Sequence, residues 1–212
     1  MNRLLAVSSC LIALVLCWVA YQRLSSQPAN ASVSLAPKTE GSSIYFVPIG
    51  DFPRERLEPL IQYYRQKYNL EIAVVNSIPV DPATRDDARR QLMAERLVAS
   101  VRNAVPEHTY NPKEILIGFT SEDIYPTSQN WQFAFGWRQT SLGAAVVSTA
   151  RMSLHYAEEP SDDNFAETRL RKMVTKGIGI LYYGLDPSRN PRSVLYSQIL
   201  GIEELDQVGE EF

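Results

Sequence analysis

Two adjacent carboxylates, Glu122 and Asp123, follow a predicted buried strand and have the types and spacing that acid–base chemistry needs. Loops at the ends of strands often carry reacting groups in α/β proteins, so this pair predicts a metal-free hydrolytic site as one alternative. A second acidic pair, Asp162 and Asp163, is better placed to cap the helix that it precedes. Loop carboxylates are more often solvated or capping groups than reacting ones, and both pairs can be explained in that way.

Histidines and hydroxyl nucleophiles give weaker signals. The two histidines, His108 and His155, are far apart in the sequence and make a poor metal site. Such histidines are usually either exposed to solvent or buried with their hydrogen bonds satisfied. The hydroxyl residues Ser148, Ser153 and Thr175 have no evident histidine base, so a serine-type triad through His155 is disfavoured.

Composition excludes further classes of function. Both cysteines, Cys10 and Cys17, lie near the start, so the remaining chain has no disulfide, thiolate metal site or cysteine nucleophile. The formal net charge of -3 gives no basic footprint for nucleic acid. With 212 residues, of which 45% are hydrophobic, the chain can form one domain with a sizeable core.

Residues 1–24 predict an N-terminal signal anchor or signal peptide. Arg3 precedes an apolar run from Leu4 to Tyr21 that is close to the length of a membrane-spanning helix. An uncleaved anchor with Arg3 on the cytoplasmic side is favoured, so the membrane is a predicted partner and the domain is predicted to be periplasmic or extracellular. Secretion after signal cleavage is the alternative. Residues 25–43, rich in Ser, Ala and Pro, predict a flexible tether.

Residues 44–212 predict one α/β domain in which strands alternate with long helices. Strands are predicted at Ile44–Ile49, Leu70–Ile78, Glu114–Phe119, Trp131–Trp137 and Gly143–Thr149. Helices are predicted from Pro53 to Tyr68, from Arg85 to Ala104 and from Asp163 to Tyr183. The short connection between the last two strands requires at least one antiparallel strand. We therefore expect two or three layers, with a mixed, mostly parallel five-stranded sheet packed on long helices.

Several segments resemble the archaemetzincins, which are zinc metalloproteases of the metzincin type. Tyr45–Gly50 (YFVPIG) is similar to the family's first strand, and Ile115–Tyr125 (ILIGFTSEDIY) resembles its ILGVTDxDLY segment. Phe133–Gly136 resembles FVFG, Ala144–Arg151 resembles AVVSLxR, and Asn190–Tyr196 resembles the segment NPxCVMxF that carries the Met-turn. The resemblance covers nearly all of the predicted domain. It implies a mixed five-stranded sheet with a helix beneath an active-site cleft.

The family's zinc motif, H-E-x-x-H-x-x-G-x-x-H, is not present. In that motif two histidines on one helix face bind zinc, and the glutamate acts as general base on the bound water. Aligned by a shared glycine, the motif and the Met-turn methionine fall in order on Val174, Thr175, Ile178, Leu181, Gly184 and Leu195. From Thr168 to Leu185 the chain has no His, Asp, Glu or Cys, so no shift of register restores the ligands. The absence of this motif thus predicts that the chain has neither zinc nor another cofactor and is not an enzyme.

The replacements form a pattern of their own. Val174, Ile178, Leu181 and Leu185 are spaced so that they form one apolar stripe on a helix. Unpaired polar ligands on such a face would cost free energy, whereas apolar side chains can fill the space. We expect the old site to be plugged or to form an apolar groove.

Three functions are compatible with these features. The favoured one is an exported, non-catalytic metalloprotease-like domain that binds a peptide or protein in the vestigial cleft. Strand addition at the aromatic segment Trp131–Trp137 is its predicted binding mode. The candidate cleft-lining residues are Trp131, Phe133, Phe135, Tyr182 and Tyr183. The alternatives are an enzyme with a metal-free hydrolytic site at Glu122 and Asp123, and a structural or assembly protein of the cell envelope.

Overall fold

A computed structural model of the chain describes residues 36–37, 41, 43–104, 111, 113–153, 163–197 and 199–212. The predicted leader, most of the predicted tether, both histidines and the proposed cap at Asp162 and Asp163 lie outside what is described, apart from the backbone of Asp163. In chain order the elements are β1 (Ser43–Pro48), α1 (Leu57–Tyr68), β2 (Ile72–Val74), β3 (Arg85–Asp86), β4 (Gln91–Met93), α2 (Ala94–Asn103), β5 (Glu114–Thr120), β6 (Ile124–Tyr125), β7 (Gly136–Gln139), β8 (Ala144–Ser148), α3 (Asp163–Leu181) and α4 (Ile202–Gln207).

Five of these strands form the main sheet, in the order β2-β1-β5-β8-β7. The first four run parallel, and β7 pairs antiparallel with β8 at one edge. This confirms the predicted mixed, mostly parallel sheet. A smaller sheet has the order β3-β4-β6.

The main sheet lies between two helical layers, because its strands carry apolar side chains on both faces. Phe46, Ile117 and Phe119 belong to a buried cluster with residues of α1, α3 and α4. Val47 and Leu116 belong to a second cluster with residues of α2. A glycine allows the close approach of α2, since a Cβ on Gly118 would lie 2.7 Å from a Val101 methyl group.

Helix α4 is held on α3 by two buried cations. The Arg169 guanidinium donates to both carboxylate oxygens of Asp206, at 2.7 Å each, and to the Met152 carbonyl oxygen at 2.6 Å. The Lys172 ammonium donates to the carbonyl oxygens of Leu205 and Asp206, at 3.0 and 2.8 Å. Both cations are almost fully buried. These contacts fix the end of the chain against the middle of α3.

The predicted helix from Arg85 to Ala104 is wrong in its first half. The α-helix begins at Ala94, and residues 85–93 instead form β3, β4 and the turn between them. Tertiary partners explain the difference: Arg85 makes a bidentate ion pair with Glu122, and the Tyr125 hydroxyl donates to Asp86 at 2.7 Å. Such distant contacts outweigh local helix propensity.

The predicted strand Trp131–Trp137 is also displaced, since the observed β7 is Gly136–Gln139. The Arg89 guanidinium donates to the carbonyl oxygens of Trp131 and Gln132, at 3.3 and 3.0 Å. The Gln91 side-chain amide donates to the same Gln132 carbonyl at 2.9 Å. Because these side chains bind the carbonyl oxygens of Trp131 and Gln132, the segment before β7 is a loop rather than a strand. Likewise, the second predicted strand, Leu70–Ile78, is shortened to β2 and one isolated bridge at Ile78.

The predicted membrane-anchored location is contradicted for the part of the chain that the structure describes. Within that part, no helix combines the length and the apolarity that crossing a membrane requires. The predicted anchor itself, residues 1–24, is outside the described residues.

Glu95 at the start of α2 is expected to make stability depend on acid pH. Burial raises its pKa, but hydrogen bonds from Ser128 and Thr127 outweigh this and lower the pKa to about 2. Its stabilisation is therefore complete above the ordinary glutamate pKa and is lost as pH falls towards 2. Replacing Glu95 by Gln should lower the free energy of unfolding by roughly 1 kcal/mol at pH 7, a modest value because the site is partly exposed.

Urea unfolding at neutral pH and at about pH 3 measures this effect. The matched control is Glu58→Gln, which alters an exposed carboxylate that accepts a hydrogen bond from Gln62 on the same helix. Equal losses in the two variants, or a Glu95 effect that persists at low pH, would contradict the assignment.

Candidate functional site

A pocket of about 400 Å³ lies between the edge strand β7 and helix α3. Its walls are mainly aromatic and apolar, with a few polar side chains. The lining residues are Trp131, Ala134, Phe135, Gly136, Trp137, Arg138, Thr140, Met173, Lys176, Ile180, Gly184, Leu185, Asp186, Pro187, Ser197 and Ile199. This mixture of apolar walls and a few convergent polar groups is typical of ligand-binding sites.

Helix α3 presents one face to this pocket, because Met173, Lys176 and Ile180 are spaced three and four residues apart. Another part of the wall is a pair of tryptophans, Trp131 and Trp137, whose ring centroids are 6.1 Å apart in an edge-to-face arrangement. A glycine lets helix and strand meet closely. A Cβ on Gly136 would lie 2.9 Å from the Val146 carbonyl oxygen and 3.1 Å from the Met173 terminal methyl.

Two cations line the pocket, Lys176 from α3 and Arg138 from β7. Burial, reinforced by the positive charge of Arg138, lowers the pKa of the Lys176 ammonium to about 7. Burial also lowers the pKa of Arg138. The Lys176 ammonium donates to the Tyr196 carbonyl oxygen. In the part of the chain that the structure describes, neither cation forms a salt bridge to a carboxylate.

Sequence reasoning missed both cations, although Lys176 carries a visible signal. It is the one charged residue between Met173 and Leu185, in an otherwise apolar helix segment. An isolated charge at such a position is costly to bury and therefore indicates a specific environment. Arg138 has no comparable signal, since it follows an aromatic run in a partly exposed strand.

Of the five predicted cleft-lining residues, Trp131 and Phe135 line the pocket. The other three lie elsewhere. Phe133 is covered by the Arg151 guanidinium, 4.3 Å above its ring centroid. Tyr182 and Tyr183 contact each other edge to face, and Tyr183 also packs on Phe212.

The predicted motif positions in the middle of α3 face the core rather than the pocket. Val174 and Ile178 are fully buried in the cluster beneath the sheet. The Thr175 hydroxyl lies 2.9 Å from the Tyr64 hydroxyl, a contact inside the same core. Leu195 packs with Ile180 in a small separate cluster. Packing thus explains these residues without any chemical role.

The end of α3 indicates a different register for the motif. The helix ends at Leu181, and Gly184 has a left-handed φ of 67°. The Leu185 amide then donates to the Gly179 carbonyl oxygen at 2.9 Å, so the chain turns back onto the last turn of the helix. A register that places the turning glycine on Gly184 rather than on Leu181 fits this backbone.

In this register the three ligand positions fall on Gly177, Leu181 and Pro187, and the base falls on Ile178. None of these side chains has a nitrogen, oxygen or sulfur atom that could bind zinc. Across the described residues, no group of three or more His, Cys, Asp or Glu residues is placed to hold a metal ion. The residues at these positions do not fit a zinc ion in either register.

The alternative site at Glu122 and Asp123 consists of ion-paired carboxylates. Glu122 accepts two hydrogen bonds from Arg85, at 2.6 and 2.8 Å. Asp123 accepts hydrogen bonds from Arg151 at 2.7 Å and from Gln91 at 2.8 Å. These contacts tie loops together, and neither carboxylate lines the pocket.

Comparison with known proteins supports the family resemblance. No protein-family model matches the chain. The archaemetzincin of Pyrococcus furiosus is 25% identical over 158 residues, covering 72% of this chain and 79% of the relative. The archaemetzincin of Natronomonas pharaonis is 29% identical over 153 residues, covering 70% and 83%. A solved zinc-dependent peptidase from Methanocorpusculum labreanum superposes with a TM-score of 0.65 at 20% identity, over 80% of this chain and 95% of that one.

The topology first defines a class, the mixed α/β fold shared with a zinc-dependent peptidase. The sequence relatives, at 25% and 29% identity, then support an archaemetzincin-like family for the chain. The two archaemetzincin relatives, together with the structural neighbour named a zinc-dependent peptidase, contradict the prediction that the chain is not an enzyme. The absence of the zinc-motif residues is therefore not sufficient to predict that the chain has no enzymatic activity.

Proposed function

We propose that the chain binds an extended peptide along the outer edge of β7, with one group of the peptide in the adjacent pocket. The observation that carries this proposal is the position of β7. It is the last strand of the main sheet, and the pocket of about 400 Å³ opens directly beside it. An exposed sheet edge next to a pocket is the arrangement used for recognition by strand addition.

The pairing of β7 supports this mode of binding. In an antiparallel pair, alternate residues direct their backbone groups towards the partner strand. Since the Ser148 amide donates to the Phe135 carbonyl at 2.9 Å, Phe135, Trp137 and Gln139 face β8. The backbone groups of Gly136 and Arg138 consequently point away from the sheet. They are the donors and acceptors that an added strand would use.

The relatives support the same class of ligand. The structural relative is named a peptidase, and peptides are the molecules on which a peptidase acts. The tryptophan pair Trp131 and Trp137 offers a wall suited to apolar peptide side chains.

The test uses a fluorescein-labelled hexapeptide of alternating threonine and valine that ends in phenylalanine. We expect saturable binding by fluorescence anisotropy and shifts of the Gly136 and Arg138 amide signals in NMR spectra. The matched control is the same peptide with N-methyl groups on alternate amides, which removes the donors that strand addition needs. An unchanged spectrum at about 1 mM peptide, or equal binding of the methylated peptide, would rule out the proposed mode.

A further inference from the structure

We infer that the pocket beside β7 is a carboxylate-binding site in which Arg138 and Lys176 hold the anionic group of the bound peptide. This inference rests on the proposed peptide binding and specifies what enters the pocket. It differs from the vestigial zinc site, because it uses side chains that the zinc motif does not include.

Charge complementarity is the first argument. Two cations from different elements converge on one pocket, and each would repel the other unless an anion lay between them. Within the described residues Asp186 is the one acidic side chain that lines the pocket, and it is exposed and makes no salt bridge to either cation. The positive charge is thus not neutralised inside the fold.

The available donors are the second argument. An ammonium has three N–H donors, and the hydrogen bond to the Tyr196 carbonyl occupies one on Lys176. The Arg138 guanidinium makes no hydrogen bond to the described residues. Its planar pair of N–H groups matches the two oxygens of a carboxylate.

The walls are the third argument. Trp131, Phe135, Trp137 and Ile180 surround the two cations with apolar surface. An ionic hydrogen bond is stronger in such surroundings than in water. The combination fits a carboxylate next to an apolar group, which a peptide supplies as its C-terminal residue or as an acidic side chain.

The experiment compares the labelled hexapeptide with a free C-terminal carboxylate and the same peptide with a C-terminal carboxamide. A third peptide has the carboxamide and an aspartate in place of one threonine. We expect the free acid to bind about tenfold more tightly than the amide. If the aspartate restores the affinity, an acidic side chain is also accepted, and if it does not, the site is specific for the chain end.

Two variants assign the effect to the pocket. Lys176→Met and Arg138→Gln should each reduce the ratio of acid to amide affinity towards one. The matched control is Lys172→Met, which removes another buried lysine of α3 that does not line the pocket. It should leave the ratio unchanged. Thermal melting confirms that each variant is folded, and a ratio unaffected by both pocket variants overturns the inference.

The pH dependence is an independent readout. The groups near Lys176 are Arg138 on β7 and the Tyr196 carbonyl, and Asp186 after α3 lines the same pocket. Because the pKa of Lys176 is lowered to about 7, the free protein loses this positive charge as pH rises through neutrality. The preference for the acid should therefore fall above about pH 7, and this fall should be absent in Lys176→Met.

The outcomes separate the inference from the proposed function. Equal binding of acid and amide, with shifts at the β7 amides, would leave peptide binding standing and overturn the carboxylate site. If neither peptide binds, the proposed function fails. Titration with 3-phenylpropionate and 3-phenylpropionamide then tests the pocket alone, and equal binding or no binding of these two compounds overturns the inference.

Discussion

Replacing Lys176 by methionine is expected to raise the free energy of unfolding at neutral pH by about 2–4 kcal/mol. Burial and the charge of Arg138 lower the pKa of Lys176 from 10.5 to about 7, so protonating the folded state is costly. Methionine has a similar length and needs no proton. The lost hydrogen bond to the Tyr196 carbonyl offsets part of the gain. A binding residue that weakens the fold is the usual sign of a stability–function compromise.

The sign of the pH dependence is specific. Between about pH 7 and pH 10.5 the unfolded chain binds a proton on Lys176 that the folded chain does not, so the native protein becomes more stable as pH rises. The advantage of Lys176→Met should be complete below about pH 7 and should vanish near the ordinary lysine pKa. Urea unfolding of both proteins across this range measures it. A variant less stable than the native protein at neutral pH would contradict this prediction. It would mean that Lys176 stabilises the folded protein.

Replacing Asp206 by alanine is expected to destabilise the fold by about 2–3 kcal/mol. Arg169 is 4% exposed, and without Asp206 its guanidinium loses two charge-assisted hydrogen bonds at a buried position. The Met152 carbonyl remains as one acceptor. Removing these two charge-assisted hydrogen bonds from a buried cation costs more than the intact pair contributes.

The control for this prediction is Glu210→Ala. Glu210 pairs with Arg171, which lies two residues after Arg169 on α3. The Arg171 side chain is 25% exposed, whereas that of Arg169 is 5% exposed. Water can solvate Arg171 after the substitution, so we expect a loss of at most about 1 kcal/mol. Chemical unfolding of the two variants provides the comparison. Similar losses would mean that burial does not decide the strength of these pairs.

The parallel strands of the sheet could be predicted because their apolar runs are continuous. Residues Ile115–Phe119 are buried on both faces of β5, and such a run has few alternatives in an α/β chain. Helix α3 was predictable for a similar reason, since its apolar residues recur at helical spacing. Residues 85–93 could not be predicted, because their conformation depends on Tyr125 and Glu122, which lie more than thirty residues away.

The pocket could be predicted in part. Aromatic residues before β7 indicate a binding surface, and Trp131 and Phe135 do line it. The orientation of α3 could not be derived from spacing, because Val174 and Lys176 both belong to plausible helix faces. The sheet decides between them: its apolar surface buries Val174 and leaves Lys176 facing the pocket. The glycine that ends α3 is equally a property of the folded backbone, visible in the φ of Gly184.

The loop before β7 has one further consequence. Arg89, whose guanidinium lies 3.9 Å above the Tyr125 ring centroid, holds the carbonyls of Trp131 and Gln132 from the smaller sheet. The indole wall of the pocket is thereby ordered before a ligand arrives. Its conformational entropy is already lost on folding, so binding need not reduce it again. Arg89, which does not line the pocket, can thus influence the affinity for a ligand because it limits the conformational freedom of the tryptophan wall.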